Sequence, residues 1–158
     1  KKKTVTKSLA KPVDQTQSHV DAVLALSWNR PNRNLIASAS ADTTVKVWDL
    51  SQGTCALNLV HHTSKVQSVT WNPTQPTVLL TGSYDGTAAV VDCRTPSELL
   101  RWELGGEVEC MAWNLHNTDQ FMTSLDNGNI VCCDVKTPAA PLYTINAHYK
   151  AACTVSYR

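Results

Sequence analysis

Histidine and aspartate recur along this chain at a fixed interval. His19 and His62 are 43 residues apart, and so are Asp42 and Asp85. A histidine held by a carboxylate can deprotonate a serine or threonine hydroxyl, which is the chemistry of many hydrolases. The sequence has no G-x-S-x-G, H-E-x-x-H or glycine-rich phosphate-binding motif. A regular interval without such a motif favours a repeated structural role over catalysis.

Six cysteines raise the question of a metal site or a disulfide framework. They are Cys55, Cys93, Cys110, Cys132, Cys133 and Cys153. They form no C-x-x-C pair, and no histidine lies at a spacing typical of zinc ligands. Most lie in apolar stretches, where free thiols pack as small hydrophobic groups. We therefore expect reduced thiols, no metal, no cofactor and no small-molecule substrate.

Charge is unevenly distributed. Residues 1–18 have a local charge of +4, and the remainder of the chain has a charge of −3. The excess comes from five lysines: Lys1, Lys2, Lys3, Lys7 and Lys11. Binding to nucleic acid depends on neutralising phosphates, so we expect it only weakly or indirectly, through this basic tail. No apolar run approaches the roughly 18 residues that span a bilayer, so no membrane partner is expected.

An internal repeat supplies the elements that position these residues. Three similar segments, VLALSWN, VQSVTWN and VECMAWN, place tryptophan at Trp28, Trp71 and Trp113, at steps of 43 and 42 residues. Aspartate keeps the same steps at the end of another apolar segment: Asp49, Asp92 and Asp134. Large aromatic residues at repeating positions are expected to pack between neighbouring units.

Each repeat has the hydrophobic pattern of four short β-strands, in which residues either alternate between apolar and polar or are all apolar. A turn signal lies between the second and third segments of each copy: Asp42-Thr43, Asp85-Gly86 and Asn127-Gly128. Asp-Gly and Asn-Gly favour a type I′ turn, in which both residues have positive φ. Four strands in about 42 residues are typical of a propeller blade. The sequence predicts an all-β propeller fragment with three four-stranded blades and the first strand of a fourth.

The phase of the repeat sets the predicted boundaries. Residues 1–18 form a basic linker, which we expect to be disordered. The three repeats cover residues 19–60, 62–104 and 105–147. Residues 148–158 begin a fourth, truncated repeat.

The first repeat resembles the WD-repeat family over its full length, from His19 to the Trp48-Asp49 pair. In that family a histidine, a serine or threonine, a turn aspartate and a tryptophan form a buried, hydrogen-bonded tetrad. The resemblance assigns a complete tetrad to the first repeat: His19, Ser38, Asp42 and Trp48. A buried carboxylate is costly unless it is partnered, and this arrangement pairs each polar group.

The resemblance assigns eroded tetrads to the other two repeats. The second repeat offers His62, Thr81 and Asp85. The third repeat offers Thr123, with Asn127 in the aspartate position. Other residues stand where tryptophan is expected: Val91 and Cys133. His61, the neighbour of His62, is interpreted as a loop residue.

The segments SWN, TWN and AWN, together with GSYD, VDCR, INAH and the lysine-rich start, resemble the periodic-tryptophan family of WD-repeat proteins. This resemblance implies a non-catalytic scaffold for protein–protein interaction in the nucleus and nucleolus. Its implied role is in ribosome biogenesis, through ribosomal RNA transcription or processing, with a link to chromatin. The implied partners are pre-ribosomal or chromatin proteins.

Two features leave alternatives open. Asp92 and Arg94 resemble the end of a WD-x-R motif, with which some propellers bind the adaptor of cullin-RING ubiquitin ligases, so the chain could be a substrate receptor. Arg94 could equally cap a loop of its own blade. The lysine tail is compatible with a solvated linker, a nuclear address or an electrostatic contact to nucleic acid.

Overall fold

The computed structural model describes residues 17–157, and the five lysines of the basic tail lie outside this range. Every regular element in the described range is a β-strand. Within it, no helix has the length and apolar character needed to cross a membrane.

Twelve strands form three four-stranded antiparallel sheets, in which strands adjacent in sequence are adjacent in space. Blade one contains β1 (Val23–Trp28), β2 (Leu35–Ser40), β3 (Val45–Asp49) and β4 (Thr54–Leu59). Blade two contains β5 (Val66–Trp71), β6 (Val78–Ser83), β7 (Thr87–Asp92) and β8 (Leu99–Glu103). Blade three contains β9 (Val108–Trp113), β10 (Gln120–Leu125), β11 (Asn129–Asp134) and β12 (Tyr143–Asn146). The prediction of three four-stranded, all-β blades is confirmed.

Blades one and two share one hydrophobic core. Val45 and Val47 alternate along β3 with side chains on the other face, because successive strand residues point to opposite sides of a sheet. They pack with Val69 and Trp71 from β5 of blade two. The core therefore lies between the sheets, and each blade depends on its neighbour for burial of its apolar face.

Blades two and three share a second core that is centred on aromatic rings. Phe121 is fully buried, and its ring lies 5.1 Å from that of Trp102 and 5.7 Å from that of Trp113, both edge to face. Gly82 of β6 allows the close approach of these blades, since a Cβ atom at this position would lie 2.6 Å from Cγ1 of Val108. Edge-to-face aromatic pairs add stabilisation beyond the area they bury.

The turns between the second and third strands differ from the predicted type I′. Only the second residue of each turn signal has positive φ: Thr43 at 69°, Gly86 at 81° and Gly128 at 86°. Its backbone N–H donates to the carbonyl three residues earlier, as in a type I turn followed by a left-handed residue. The first residue differs because its side chain accepts a backbone N–H two residues on, for example Thr44 N–H to Asp42 at 3.0 Å.

The predicted first strand of a fourth blade is not formed as a strand. Residues 151–157 have no ladder partner, because the described range contains no second strand of that blade. The segment nevertheless lies against blade three, where the Ala152 N–H donates to the Leu125 carbonyl at 3.0 Å. Tyr157 shares a surface depression with Trp71 and Trp113, as expected for a residue at the corresponding repeat position.

Candidate functional site

Blade one contains a closed network of four side chains. His19 Nδ1 lies 2.9 Å from the Asp42 carboxylate, and His19 Nε2 lies 2.7 Å from the Ser38 hydroxyl. The Trp48 indole N–H donates to the same hydroxyl at 2.8 Å. The side chains of His19 and Asp42 are only 5% and 4% exposed. The structure thus brings together all four residues that were assigned to a tetrad.

This network has the residue types of a hydrolytic triad but cannot act as one. The Ser38 hydroxyl donates towards His19 and accepts from Trp48, so both its proton and its lone pair are used inside the blade. Ser38 is also 2% exposed, which leaves no path for a substrate carbonyl to reach the oxygen. The role of the network is to satisfy buried polar groups.

The Asp42 carboxylate is held in its ionised form. Burial by itself would raise its pKa, but hydrogen bonds from the Thr44 hydroxyl, the Val20 N–H and His19 outweigh that effect. Together they hold the pKa of Asp42 well below its usual range. A permanent anion in this position fixes the proton of His19 on Nδ1.

Blade two contains a related network in which three assigned residues meet. His62 Nδ1 lies 2.9 Å from Asp85, and His62 Nε2 lies 2.9 Å from the Thr81 hydroxyl. Val91, in the tryptophan position, is fully buried and offers no donor. Burial opposes the ionisation of Asp85, yet the Thr63 N–H, the Thr87 hydroxyl and His62 lower its pKa to about 2.

His61 also belongs to this network, which sequence reasoning missed. His61 lies in a loop, as expected, but its Nε2 atom lies 2.9 Å from the Thr81 hydroxyl, which gives it a place in the network. The two imidazole rings lie side by side, with centroids 4.5 Å apart. Two features of the sequence could have indicated this role: the second repeat has an extra histidine, and it has Val91 where tryptophan is expected.

Blade three lacks a corresponding network. The Thr123 hydroxyl is fully buried and, within residues 17–157, has no hydrogen-bond partner. Asn127 is exposed and bonds the Gly105 carbonyl and the Asn129 N–H instead. Cys133 occupies the tryptophan position, and burial raises the pKa of its thiol to about 12. The structure therefore separates the two residues assigned to this tetrad, Thr123 and Asn127.

Replacing Thr123 with valine, which has nearly the same shape, is expected to leave the free energy of unfolding unchanged or slightly higher. The reason is that an unpaired buried hydroxyl costs free energy, which valine does not incur. The matched change Thr81→Val should lower stability by about 1–3 kcal/mol, because two histidine nitrogens lose their partner. Urea unfolding of both variants measures this, and an equal loss in the two would contradict the assignment.

The strand-end tryptophans connect neighbouring blades. The Trp71 indole N–H donates to the Ser27 carbonyl of blade one at 3.2 Å. The Trp113 indole N–H donates in the same way to the Thr70 carbonyl of blade two at 3.3 Å. Both rings are buried in the shared cores. Trp28, with no preceding blade in the described range, is 57% exposed and bonds within its own blade.

The asparagine that follows each tryptophan connects in the opposite direction. The Asn29 amide donates to the Pro76 carbonyl of blade two at 2.7 Å. The Asn72 amide donates to the Thr118 carbonyl of blade three at 2.8 Å. The repeated W-N is visible in the sequence, but the asparagine was assigned no role there. The available signal was the repetition of asparagine directly after each tryptophan.

Asp92 and Arg94 form an ion pair within one loop. The guanidinium contacts both carboxylate oxygens, at distances from 2.5 to 3.1 Å. The hydrogen bond from Arg94 lowers the pKa of Asp92 to about 2, although partial burial opposes the effect. The Arg94 side chain is 73% exposed, so it caps its own loop and still faces solvent.

A groove of about 450 Å³ lies between blades two and three next to this ion pair. Val90, Leu100 and Trp113 give it an apolar lining, and Asp92 contributes to its wall. Its position at a blade junction makes it a surface that a protein segment could occupy.

Comparison with known proteins agrees with this architecture. The family model "WD domain, G-beta repeat" matches residues 10–49 and 53–92. The chain is 32% identical to the Periodic tryptophan protein 1 homolog of Drosophila melanogaster, over 90% of this chain and 32% of that protein. It is 34% identical to Periodic tryptophan protein 1 of Saccharomyces cerevisiae, over 84% of this chain and 24% of that protein. The predicted resemblance to the periodic-tryptophan family is confirmed.

A more distant relative is the E3 ubiquitin-protein ligase COP1 of Arabidopsis thaliana, 25% identical over 84% of this chain and 20% of that protein. Among solved structures, a chain of the "Crystal Structure of Mitotic Checkpoint Complex" superposes with a TM-score of 0.76 over 89% of this chain and 44% of that chain, at 23% identity. That likeness shows the propeller fold alone.

The chain spans about a third or less of the length of these three relatives. The family match, in contrast, extends over slightly more than half of this chain. Its second segment ends at Asp92, the last residue of β7. By the family match, the repeat and the blade architecture, the chain belongs to the WD40 repeat family.

Proposed function

We propose that this chain is part of a non-catalytic scaffold for protein–protein interaction in ribosome biogenesis. The observation that carries the proposal is the tryptophan–asparagine pair at each blade (Trp28-Asn29, Trp71-Asn72 and Trp113-Asn114). Where two blades meet, this pair holds them together by hydrogen bonds in both directions. Periodic tryptophan is also the feature that gives the relatives in fly and yeast their name.

A scaffold role accords with how the polar residues are used. The histidine–aspartate pairs of blades one and two bond inside their own blades, where they stabilise the structure. The blade junctions are filled by shared cores and joined by hydrogen bonds, while the groove between blades two and three is open to partners. Such surfaces suit pre-ribosomal or chromatin proteins, which are the partners we propose.

We further propose that the protein acts in the nucleus, within the nucleolus, where ribosomal RNA is transcribed and processed. Lys1, Lys2, Lys3, Lys7 and Lys11 would serve as the nuclear address and supply any weak contact to nucleic acid. The association with chromatin and with transcription would then be indirect, through bound proteins.

Affinity capture of the tagged full chain from growing cells tests this function. We expect pre-ribosomal or chromatin proteins among the captured partners, and nucleolar fluorescence of the same tagged chain. A mutation that removes the Trp71 indole bond, Trp71→Phe, controls for capture through misfolded surfaces, since it keeps most of the apolar packing. Exclusion of the wild-type chain from the nucleus, or capture of neither protein class, would contradict the proposal.

A second candidate function, substrate receptor of a cullin-RING ubiquitin ligase, rests on the exposed Arg94 guanidinium at the end of blade two. Arginine in such a position can donate charge-assisted hydrogen bonds to an adaptor. The likeness to COP1, named an E3 ubiquitin-protein ligase, adds to this candidate. The ion pair with Asp92 weighs against it, because the guanidinium is already engaged.

Changing Arg94 to alanine separates the two functions. If the chain is a substrate receptor, capture of the cullin adaptor is expected to fall about tenfold or more, as for the loss of a charge-assisted bond. Lys136→Ala is the matched control, since Lys136 is equally exposed and pairs with Asp119 in blade three. If the scaffold proposal holds, neither change alters the captured pre-ribosomal partners.

A further inference from the structure

Blade two lacks the tryptophan of its tetrad, yet its hydroxyl has as many nitrogen partners as the hydroxyl of blade one. In blade one, Ser38 contacts one histidine nitrogen at 2.7 Å and the Trp48 indole nitrogen at 2.8 Å. In blade two, Thr81 contacts Nε2 of His62 and Nε2 of His61, both at 2.9 Å. His61 thus has the place in the network that Trp48 has in blade one.

The positions of the hydrogens in blade two follow from counting donors and acceptors. The ionised Asp85 carboxylate can only accept, so His62 Nδ1 carries a proton. A neutral His62 then accepts at Nε2, and the Thr81 hydroxyl donates its single proton there. The Thr81 hydroxyl has no second proton to donate to His61, so Nε2 of His61 must donate to the Thr81 oxygen. This N–H replaces the indole N–H that Trp48 donates to Ser38 in blade one.

Smaller side chains in blade two make room for this exchange. Val91 stands in the position of Trp48, and Ala89 stands in the position of Lys46. The strand registers agree, because Ala89 pairs with Thr81 as Lys46 pairs with Ser38. Arg101 of β8 lies opposite Ala89 across the β7–β8 pair. Its guanidinium donates to the Thr87 hydroxyl at 3.1 Å and to the His61 carbonyl. The two bonds hold the loop of His61 against the blade.

We propose that His61 is the fourth member of the blade-two network, in place of tryptophan, and that this exchange makes the loop joining blades one and two sensitive to acid. Tryptophan cannot be protonated, whereas imidazole can. From the elements packed against it, His61 faces His62 of its own loop, Arg101 of β8, and Asp85 in the turn between β6 and β7. A second positive charge there would meet the guanidinium and a neighbouring imidazole at close range.

The direction of the pH effect follows from the two histidines. Burial, then the neighbouring His62 and Arg101, lower the pKa of His61 to about 4, against a smaller opposing effect of Asp85. Burial also lowers the pKa of His62. In the unfolded chain the pKa of histidine is near 6.5. Between about pH 4 and about pH 6.5 the unfolded state therefore binds more protons than the folded state. The contribution of the neutral histidines to the free energy of unfolding is therefore fully present above about pH 6.5. It falls as the pH is lowered towards about 4.

Two substitutions of His61 test the proposal in the full chain, by urea unfolding at about pH 7.5 and about pH 5. His61→Gln keeps an N–H donor that cannot titrate, so we expect a midpoint near that of the wild type at the higher pH and a smaller fall at the lower pH. His61→Ala removes the donor and should lower the urea midpoint below that of the wild type at the higher pH. His116→Gln, at an exposed loop histidine, is the matched control and should follow the wild type at both.

Histidine resonances of the unmodified protein give an independent measurement. We expect His61 to be the Nε2–H tautomer and to titrate well below pH 6.5. Titration of His61 near pH 6.5, the Nδ1–H tautomer, or an unchanged pH profile in His61→Gln would overturn the proposal.

Discussion

Replacing Phe121 with alanine is expected to lower the free energy of unfolding by about 3–5 kcal/mol. Phe121 is fully buried between blades two and three, where its ring meets the edges or faces of two tryptophans. Alanine removes most of the buried side chain and leaves a cavity, because backbones held in two sheets cannot close it. Urea or thermal unfolding followed by tryptophan fluorescence measures the loss directly, since Trp102 and Trp113 report on this core.

Leu115→Ala is the control for the Phe121 variant. Leu115 is 54% exposed in the loop after β9, so its truncation should change stability by no more than about 0.5 kcal/mol. A loss for Phe121→Ala as small as that of the control would show that the two blades do not share a packed core. Phe121→Leu, which keeps most of the volume, should lie between these results.

The second large effect is expected for Asp42→Ala, which should cost about 2 kcal/mol or more. Asp42 accepts bonds from His19, the Val20 N–H and Thr44, and alanine leaves these donors, among them the buried His19 imidazole, without this partner. Asn127→Ala is the matched variant at the same repeat position in blade three. Asn127 is exposed and bonds only the Gly105 carbonyl and the Asn129 N–H, so we expect a loss of about 0.5–1 kcal/mol.

Thermal unfolding of the two variants near neutral pH decides between these expectations. Equal shifts in melting temperature would contradict the idea that only blade one has a complete tetrad. The wild type offers a further check, because the pKa of Asp42 is held well below its usual range in the folded state. Its contribution is therefore complete above the unfolded pKa near 4 and is lost as the pH falls below that value.

Most of the fold was accessible from the sequence because it rests on periodicity. The tryptophan step placed the first strand of every blade, and the alternation of Val45 and Val47 with polar neighbours placed a strand face. The turn type was not accessible in the same way. Asn-Gly favours positive φ at both residues, but the Asn127 side chain accepts the backbone N–H two residues on, and only Gly128 has positive φ.

The candidate site was only partly accessible, because its members depend on what the neighbouring position leaves open. The tetrad of His19, Ser38 and their partners could be assigned because each residue matches its own position in the family motif. The role of His61 could not, since it depends on the space that Val91 leaves and on the guanidinium of Arg101. The asparagine amides were missed for a similar reason: their acceptors, such as Thr118, lie in the next blade and share no local motif.

The tryptophan–asparagine pair also determines how the blades unfold relative to one another. Trp71 bonds back to blade one and Asn72 bonds forward to blade three, so loss of blade two removes hydrogen bonds from both neighbours at once. A row of units coupled to nearest neighbours behaves cooperatively when the coupling is large compared with the stability of each unit. The pair adds directional hydrogen bonds to an interface that is otherwise largely apolar. We therefore expect the three blades to unfold together, with no single sheet unfolding as an independent domain.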